Sequence, residues 1–319
     1  MKGAVVMLAW PETRVTRTGA WYDPISKVLG LIKNDTYKVG HAAFCLIDYK
    51  ENKAFYFDFG RYQAPLGYGR VRGANTDPEL EIKTLPVIEN NKVININEIL
   101  KELKTNNSTH GKGYQLSAVR QDVNLKKVYD FIYNLQDQDH IKYAPFMMRR
   151  TNCSRFASKA FLKAGFEPKW RLLTNLLSLF PYNLPVNQIT QKSFRGDVHI
   201  VDDQLNYHKL PVGEFRKRKS LFISNNKIHN YATPQIGHHD KYRLNGIGAH
   251  AFYSINHVED NIFLIARYDD HNYKHFEHSF NVVEGELDLE KEITMSYPSH
   301  ANKVTIIQEG QIVKLVRYA

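Results

Sequence analysis

The sequence predicts an α+β chain: an antiparallel sheet packed on a cysteine-bearing helix, followed by a smaller, mainly β domain. Three stretches predict it. Arg150 to Gly165 has helical apolar spacing with a cysteine in its first turn. Val39 to Gly60 reads as a hairpin of two apolar strands about a polar turn. Beyond the basic run Arg216-Lys217-Arg218-Lys219, short β-branched and aromatic runs follow one another with few helical stretches between. The 319 residues suffice for one sizeable core or two. We divide the chain at 1–214 and 215–319.

In chain order, Gly3 to Leu8 is a continuous apolar run, read as a buried strand. Trp10 to Tyr22 is loop. Asp23-Pro24 starts a helix, an N-cap before a first-turn proline, with Ile25, Val28, Leu29 and Ile32 on one face. Val39 to Asp48 and Ala54 to Gly60 are the hairpin strands, joined at Tyr49 to Lys53. Arg61 to Thr76, rich in Gly, Tyr and Arg, reads as a mobile loop whose Arg70 and Arg72 suit a carboxylate or phosphate. Its glycines match neither the dinucleotide nor the phosphate-loop pattern. Glu79 to Pro86 reads as a strand. Asn97 caps a short helix, and Asn124 to Gln136 is a helix with Leu125, Val128, Ile132 and Leu135 on one side. Leu172 to Asn187, broken by Pro181 and Pro185, reads as a connector. The β-rich part carries runs at 221–223, 251–255, 262–268, 280–283, 304–307 and 312–316.

Composition narrows the classes. Lys+Arg of 43 against Asp+Glu of 33 gives a net charge of +10, which favours an anionic partner such as a polymer. The charge is spread out and no nucleic-acid motif accompanies it, so specific nucleic-acid binding is not expected. Two cysteines, Cys45 and Cys153, exclude a disulfide framework. The apolar start from Gly3 to Trp10 lacks a cleavage signal and no run approaches the ~18 residues of a membrane span. The expectation is a soluble, reducing, cytoplasmic protein. No cofactor is expected. His238-His239-Asp240 and His271, His275 and His278 have no spacing that makes a metal site.

Chemistry concentrates on Cys153. Thr151 or Asn152 caps its helix, and the positive helix end favours a thiolate. Arg149, Arg150 and Arg155 lie close by in sequence. Cys45, inside an apolar strand, reads as core. A nucleophilic thiol needs a base and a group that orients the base. His41 opens an otherwise apolar strand, where a polar ring needs a partner. A hairpin symmetric about Glu51-Asn52 puts Asp58 opposite Cys45, on the same face as His41. Asp58 interrupts an aromatic strand and suits the orienting role.

His41 within Val-Gly-His-Ala-Ala-Phe, Asp58 on the next strand, and Asn-Cys-Ser-Arg-Phe at a helix start resemble the circularly permuted papain-like cysteine hydrolases. These include NlpC-type peptidases and amidases and the lecithin:retinol acyltransferase relatives with their Asn-Cys-x-x-Phe helix. The histidine precedes the cysteine, as in the permuted branch, and the likeness covers about residues 1–170. It implies Cys153 as nucleophile, His41 as base and Asp58 as the orienting residue. It also implies hydrolysis of an amide, in a peptide or cell-wall-type substrate, through a thioester. Acyl transfer on a lipid-like substrate and a non-catalytic binding module of the same fold are the alternatives. The insert between Gly60 and Tyr114 departs from the compact family pattern, and the C-terminal part resembles no family.

Overall fold

The computed structural model describes residues 1–16, 32–33, 36–37, 40–144, 150–165, 197–218, 221, 240–247 and 249–318. The expected helix after Asp23-Pro24 lies outside them except for Ile32, which pairs with Tyr37 as a strand; the connector at 172–187, Arg149, His238-His239 and most of the 221–223 run also lie outside.

The first sheet is built from β1 (Lys2–Trp10), β2 (His41–Asp48), β3 (Lys53–Gly60), β4 (Tyr68–Gly73), β5 (Gln115–Asn124), β6 (Ile141–Lys142), β7 (Val198–Val201) and β8 (Tyr207–Leu210). Its strands run antiparallel in the order β6-β4-β3-β2-β1-β5-β7-β8. Three helices cover its faces: α1 (Ile96–Thr105), α2 (Lys126–Gln136) and α3 (Cys153–Lys163). Because side chains alternate along a strand, β2 feeds both faces. Ala42, Phe44 and Leu46 pack with Val128 and Ile132 of α2 and Phe156, Ala157 and Ala160 of α3. Ala43, Cys45 and Ile47 pack against Ile99, Leu100 and Leu103 of α1 on the other face. Every residue of β2 is buried, so the run is apolar on both sides and not alternating. Cys45 is core, as its place in the strand suggested.

A short helix, α4 (Val212–Arg218), follows β8, and its Phe215 packs with Ala9, Leu116 and Ile200 of the first sheet. The second sheet comprises β9 (Tyr242–Leu244), β10 (Ala251–Glu259), β11 (Ile262–Tyr268), β12 (Lys274–Glu284), β13 (Thr294–His300), β14 (Lys303–Gln308) and β15 (Gln311–Arg317). Its order is β9-β10-β11-β12-β15-β14-β13, and the two outer strands approach each other, so it curls into a nearly closed barrel. Tyr253, Ile265, Phe280, Val304 and Leu315 fill it.

Four expectations are corrected. The segment 61–76 is not simply a mobile loop: Tyr68 to Gly73 is strand β4, and Arg70 and Arg72 are buried. Glu79 to Pro86 forms a 3-10 turn at Pro78–Leu80 and a single bridge at Glu81, with no ladder. Helix α1 starts after Asn95, ahead of Asn97. The hairpin is offset by two residues from the symmetric turn: Asp58 faces Ala43, and Cys45 faces Tyr56. An even offset preserves the face, so Asp58 stays on the side of His41 and comes nearer to it.

Candidate active site

The site forms where the start of β2 meets the N-terminus of α3. Asn152 is extended, and its side-chain Oδ1 accepts the Arg155 backbone N–H at 2.9 Å. This fixes the first turn, with Cys153 as its first residue. Phe156, Ala157, Ala160 and Phe161 anchor the helix on the sheet, and Gly165, at φ +98°, follows its end in the left-handed region. Arg155 lies buried behind that turn, donating to the carbonyls of Arg150 at 2.7 Å and Ala144 at 3.3 Å. Its charge therefore serves local backbone.

Cys153 lies on the α2/α3 side of the sheet, whereas His41 has the parity of Ala43 and Cys45. They meet because His41 is the first residue of β2, where the ring reaches round the strand end. Cys153 and His41 lie close enough that each shifts the other's ionisation, and the Ala42 backbone N–H also favours the thiolate. The His41 ring stacks on Trp10, its cross-strand partner, with centroids 5.8 Å apart.

Asp58 stands behind the imidazole. His41 Nε2 lies 3.3 Å from Asp58 Oδ2. Arg72 grips the same carboxylate in a bidentate fork, Nε to Oδ1 at 3.0 Å and Nη2 to Oδ2 at 2.6 Å. The hydroxyls of Tyr56 and Tyr62 donate to Oδ2 at 3.0 and 3.3 Å. Tyr62 is edge-on to His41, stacks on His110 at 5.1 Å and lies under the Arg72 guanidinium at 3.5 Å. The Asp58 side chain is fully buried, and His41 is nearly so.

These contacts set the protonation states. Burial disfavours an imidazolium, but the hydrogen bonds and charges of Asp58 and Cys153 outweigh it and raise His41 to about 9. Burial raises a thiol, yet hydrogen bonding and charge from His41 win, helped by the Ala42 N–H and Ser154, and lower Cys153 below its ordinary value. Burial also works against ionised Asp58, but Arg72 and His41 hold it well below the usual carboxylate range. His110, buried beside Arg72, is pushed down to about 3 and stays neutral. The result favours a thiolate beside an imidazolium, backed by a carboxylate that is itself neutralised by an arginine.

All three residues singled out from the sequence thus come together. Tyr56, Tyr62, Trp10 and His110 around them were not foreseen, and Arg72, read as suited to a carboxylate, finds it in Asp58. One signal was present: Arg70 and Arg72, two apart, share a strand face, and cationic side chains buried in β4 demand carboxylates. Among the histidines further on, His275 faces Glu79 at 3.2 Å and Asp269 at 3.8 Å, His271 lies near Asp269, and His278 stacks on Phe276.

A strand-borne histidine, a carboxylate on the next strand and a later helix-borne cysteine thus meet in an α+β domain. Residues 5–170 match the family described as type VI secretion system effector TseH-like. The match spans just over half of the 319 residues, and the chain belongs to that family. Residues 242–318 match a domain described as DUF6695 C-terminal domain. The crystal structure of the type VI secretion system effector TseH is similar at 16% identity and a TM-score of 0.43, covering 66% of this chain and 98% of that one. No curated protein matches.

Proposed function

We propose that the protein is a cysteine-nucleophile hydrolase that cleaves an amide bond in a peptide or cell-wall-type substrate. The observation that carries the reading is Cys153 at the start of α3 beside His41, whose ring is held by Asp58 at 3.3 Å. With Nε2 turned to Asp58, Nδ1 is left for the sulfur. The Cys153 thiolate attacks the carbonyl carbon, and the carbonyl electron pair moves to oxygen. The Cys153 backbone N–H at the positive end of α3 meets that oxyanion. His41 gives its proton to the leaving amine as the C–N bond breaks, leaving a thioester. Water, deprotonated by His41, then attacks the thioester and releases acid and thiolate. Asp58 holds the ring orientation throughout, and Arg72 and the two tyrosines hold Asp58.

The family description speaks of an effector of the type VI secretion system, and we carry that role to this chain as part of the proposal. Cys45 and Cys153 are both free thiols, which suits synthesis in a reducing cytoplasm.

Alkylation tests the chemistry without knowledge of the substrate. Iodoacetamide at pH 6 is expected to label Cys153 far faster than buried Cys45, whose thiol burial pushes up. His41→Ala is expected to abolish the preference. Equal, slow labelling of both sulfurs in the wild type removes the nucleophile and with it the hydrolase.

A further inference from the structure

Between the two sheets lies a charged network that the chemistry above does not use. Arg267, on β11 of the barrel, is almost fully buried. Its Nη1 donates to Asp77 Oδ1 at 3.0 Å and its Nη2 to Glu79 Oε1 at 2.6 Å. Asp77 and Glu79 belong to the first half of the chain, just past β4. Asp77 is gripped from the other side by Arg70 of β4, through Nη1 at 2.7 Å and Nη2 at 2.6 Å. Arg70 goes one step further. Its Nε donates to the Tyr62 carbonyl at 3.1 Å, and its Nη2 to Gln63 Oε1 at 3.0 Å.

The loop that carries Tyr62 is also held directly by the barrel. Gln63 Nε2 donates to the Ala249 carbonyl at 3.0 Å, and the Ile247 N–H donates to the Arg61 carbonyl at 3.3 Å. The approach is close: a Cβ on Gly246 would lie 2.9 Å from the Gln63 nitrogen and 2.1 Å from the Ala249 oxygen. Arg61, Tyr62 and Gln63 are thus clamped between Arg70 and Gly246, Ile247 and Ala249. The Tyr62 hydroxyl touches Asp58 Oδ2 at 3.3 Å and His41 Nε2 at 3.5 Å, and its ring walls the imidazole.

We propose that the C-terminal barrel is a positioning element of the thiol site, and that Arg267 acts on Cys153 and His41 through Asp77, Arg70 and Tyr62. The proposal rests on the reading of Cys153 and His41 as a reactive pair. Three features favour it over an ordinary interface. The arginine sits on a rigid strand, it is fully desolvated, and the chain of contacts ends on a side chain that touches both members of the orienting pair. Breaking a buried ion pair leaves an uncompensated charge, so a shift of Arg267 is felt at Asp77 and Arg70. Arg267 is a positioning residue here, five contacts away from the sulfur.

The test is the pH profile of Cys153 alkylation by iodoacetamide in the full chain, which needs no substrate. Arg267→Met is expected to move the acid limb upward, with a loss of ~10-fold in rate below it, a shift of about one pH unit. Arg267→Lys is expected to recover part of that loss. Tyr62→Leu is expected to move the limb by itself, and Arg267→Met added to it is expected to change nothing more, because the element through which Arg267 acts is gone. Where Arg267→Met does not fold, Gln63→Ala loosens the same clamp and is expected to give the same shift and the same non-additivity. A limb that neither variant moves, or effects that multiply in the double variant, overturns the relay while leaving the hydrolase standing. A wild-type Cys153 no faster than Cys45 brings down both.

Discussion

A carboxylate with no water around it survives only if its partners replace the water. Asp58 has four of them, His41, Arg72, Tyr56 and Tyr62, and Arg72 spends both ends of its guanidinium edge on it. Removing one member of such a pair leaves the other charge buried and uncompensated, which costs far more than the pair contributes net. Asp58→Asn is therefore expected to destabilise the fold by ~3–5 kcal/mol in denaturant unfolding, because Arg72 keeps its charge and loses its fork. The same change removes one of the groups that raise His41. The imidazole is expected to titrate nearer its ordinary value of 6.5 in an NMR titration, down from about 9. An Asn variant as stable as the wild type, with His41 unmoved, contradicts this account of the residue. Cys45 marks the opposite case: the same thiol, buried in apolar surroundings with no imidazole, has its ionisation suppressed.

The helix that carries the sulfur depends on a single side chain at its start. Asn152 satisfies the Arg155 N–H, one of the first-turn donors that the helix cannot bond internally. Asn152→Ala is expected to cost ~1 kcal/mol in thermal or denaturant unfolding and to slow Cys153 alkylation, since fraying of that turn moves the sulfur off His41. Loss of stability without slower alkylation argues that the sheet alone holds the sulfur in place. At this scale the sequence was most legible where apolar residues were patterned. Strands β1, β2 and β3, helix α2 and helix α3 are written in runs and spacings that burial imposes. Strand β4 was not legible, because its Gly and Arg content mimics a loop and the carboxylates its arginines pair with, Asp58 and Asp77, lie in other segments. Strand β5 escaped for a related reason: Gln115 and Ser117 are polar yet buried, and Gln115 Nε2 donates to the Leu100 carbonyl of α1. The register of the hairpin depended on its turn, which closes on Asp48↔Lys53 with Asn52 at φ 51°, two residues from the symmetric guess.

Across the whole molecule, the linked protonation states predict an unusual dependence of stability on pH. His41 is raised in the folded state, so its contribution is complete below 6.5 and is lost as pH rises through about 9. Cys153 is lowered from an ordinary 9.0, so its contribution is complete above 9.0 and is lost as pH falls through its lower folded value. Over the shared window the two slopes oppose each other: folding moves a proton from sulfur to imidazole and leaves the number bound unchanged. Between the lowered Cys153 value and about 9 the pair therefore adds little slope. Below that window the Cys153 contribution is lost, and further down Asp58 and Asp77, both held low by arginines, lose theirs as they protonate. Asp77 also joins the two sheets through Arg267, so acid is expected to weaken both halves together. Cys153→Ala breaks the balance. Only the His41 contribution, held up by Asp58, then remains, and the melting temperature is expected to fall with rising pH above 6.5 more steeply than in the wild type. Thermal melts of both proteins across this range decide it. Parallel curves mean that no proton passes from Cys153 to His41 on folding, and that the sulfur is an ordinary thiol.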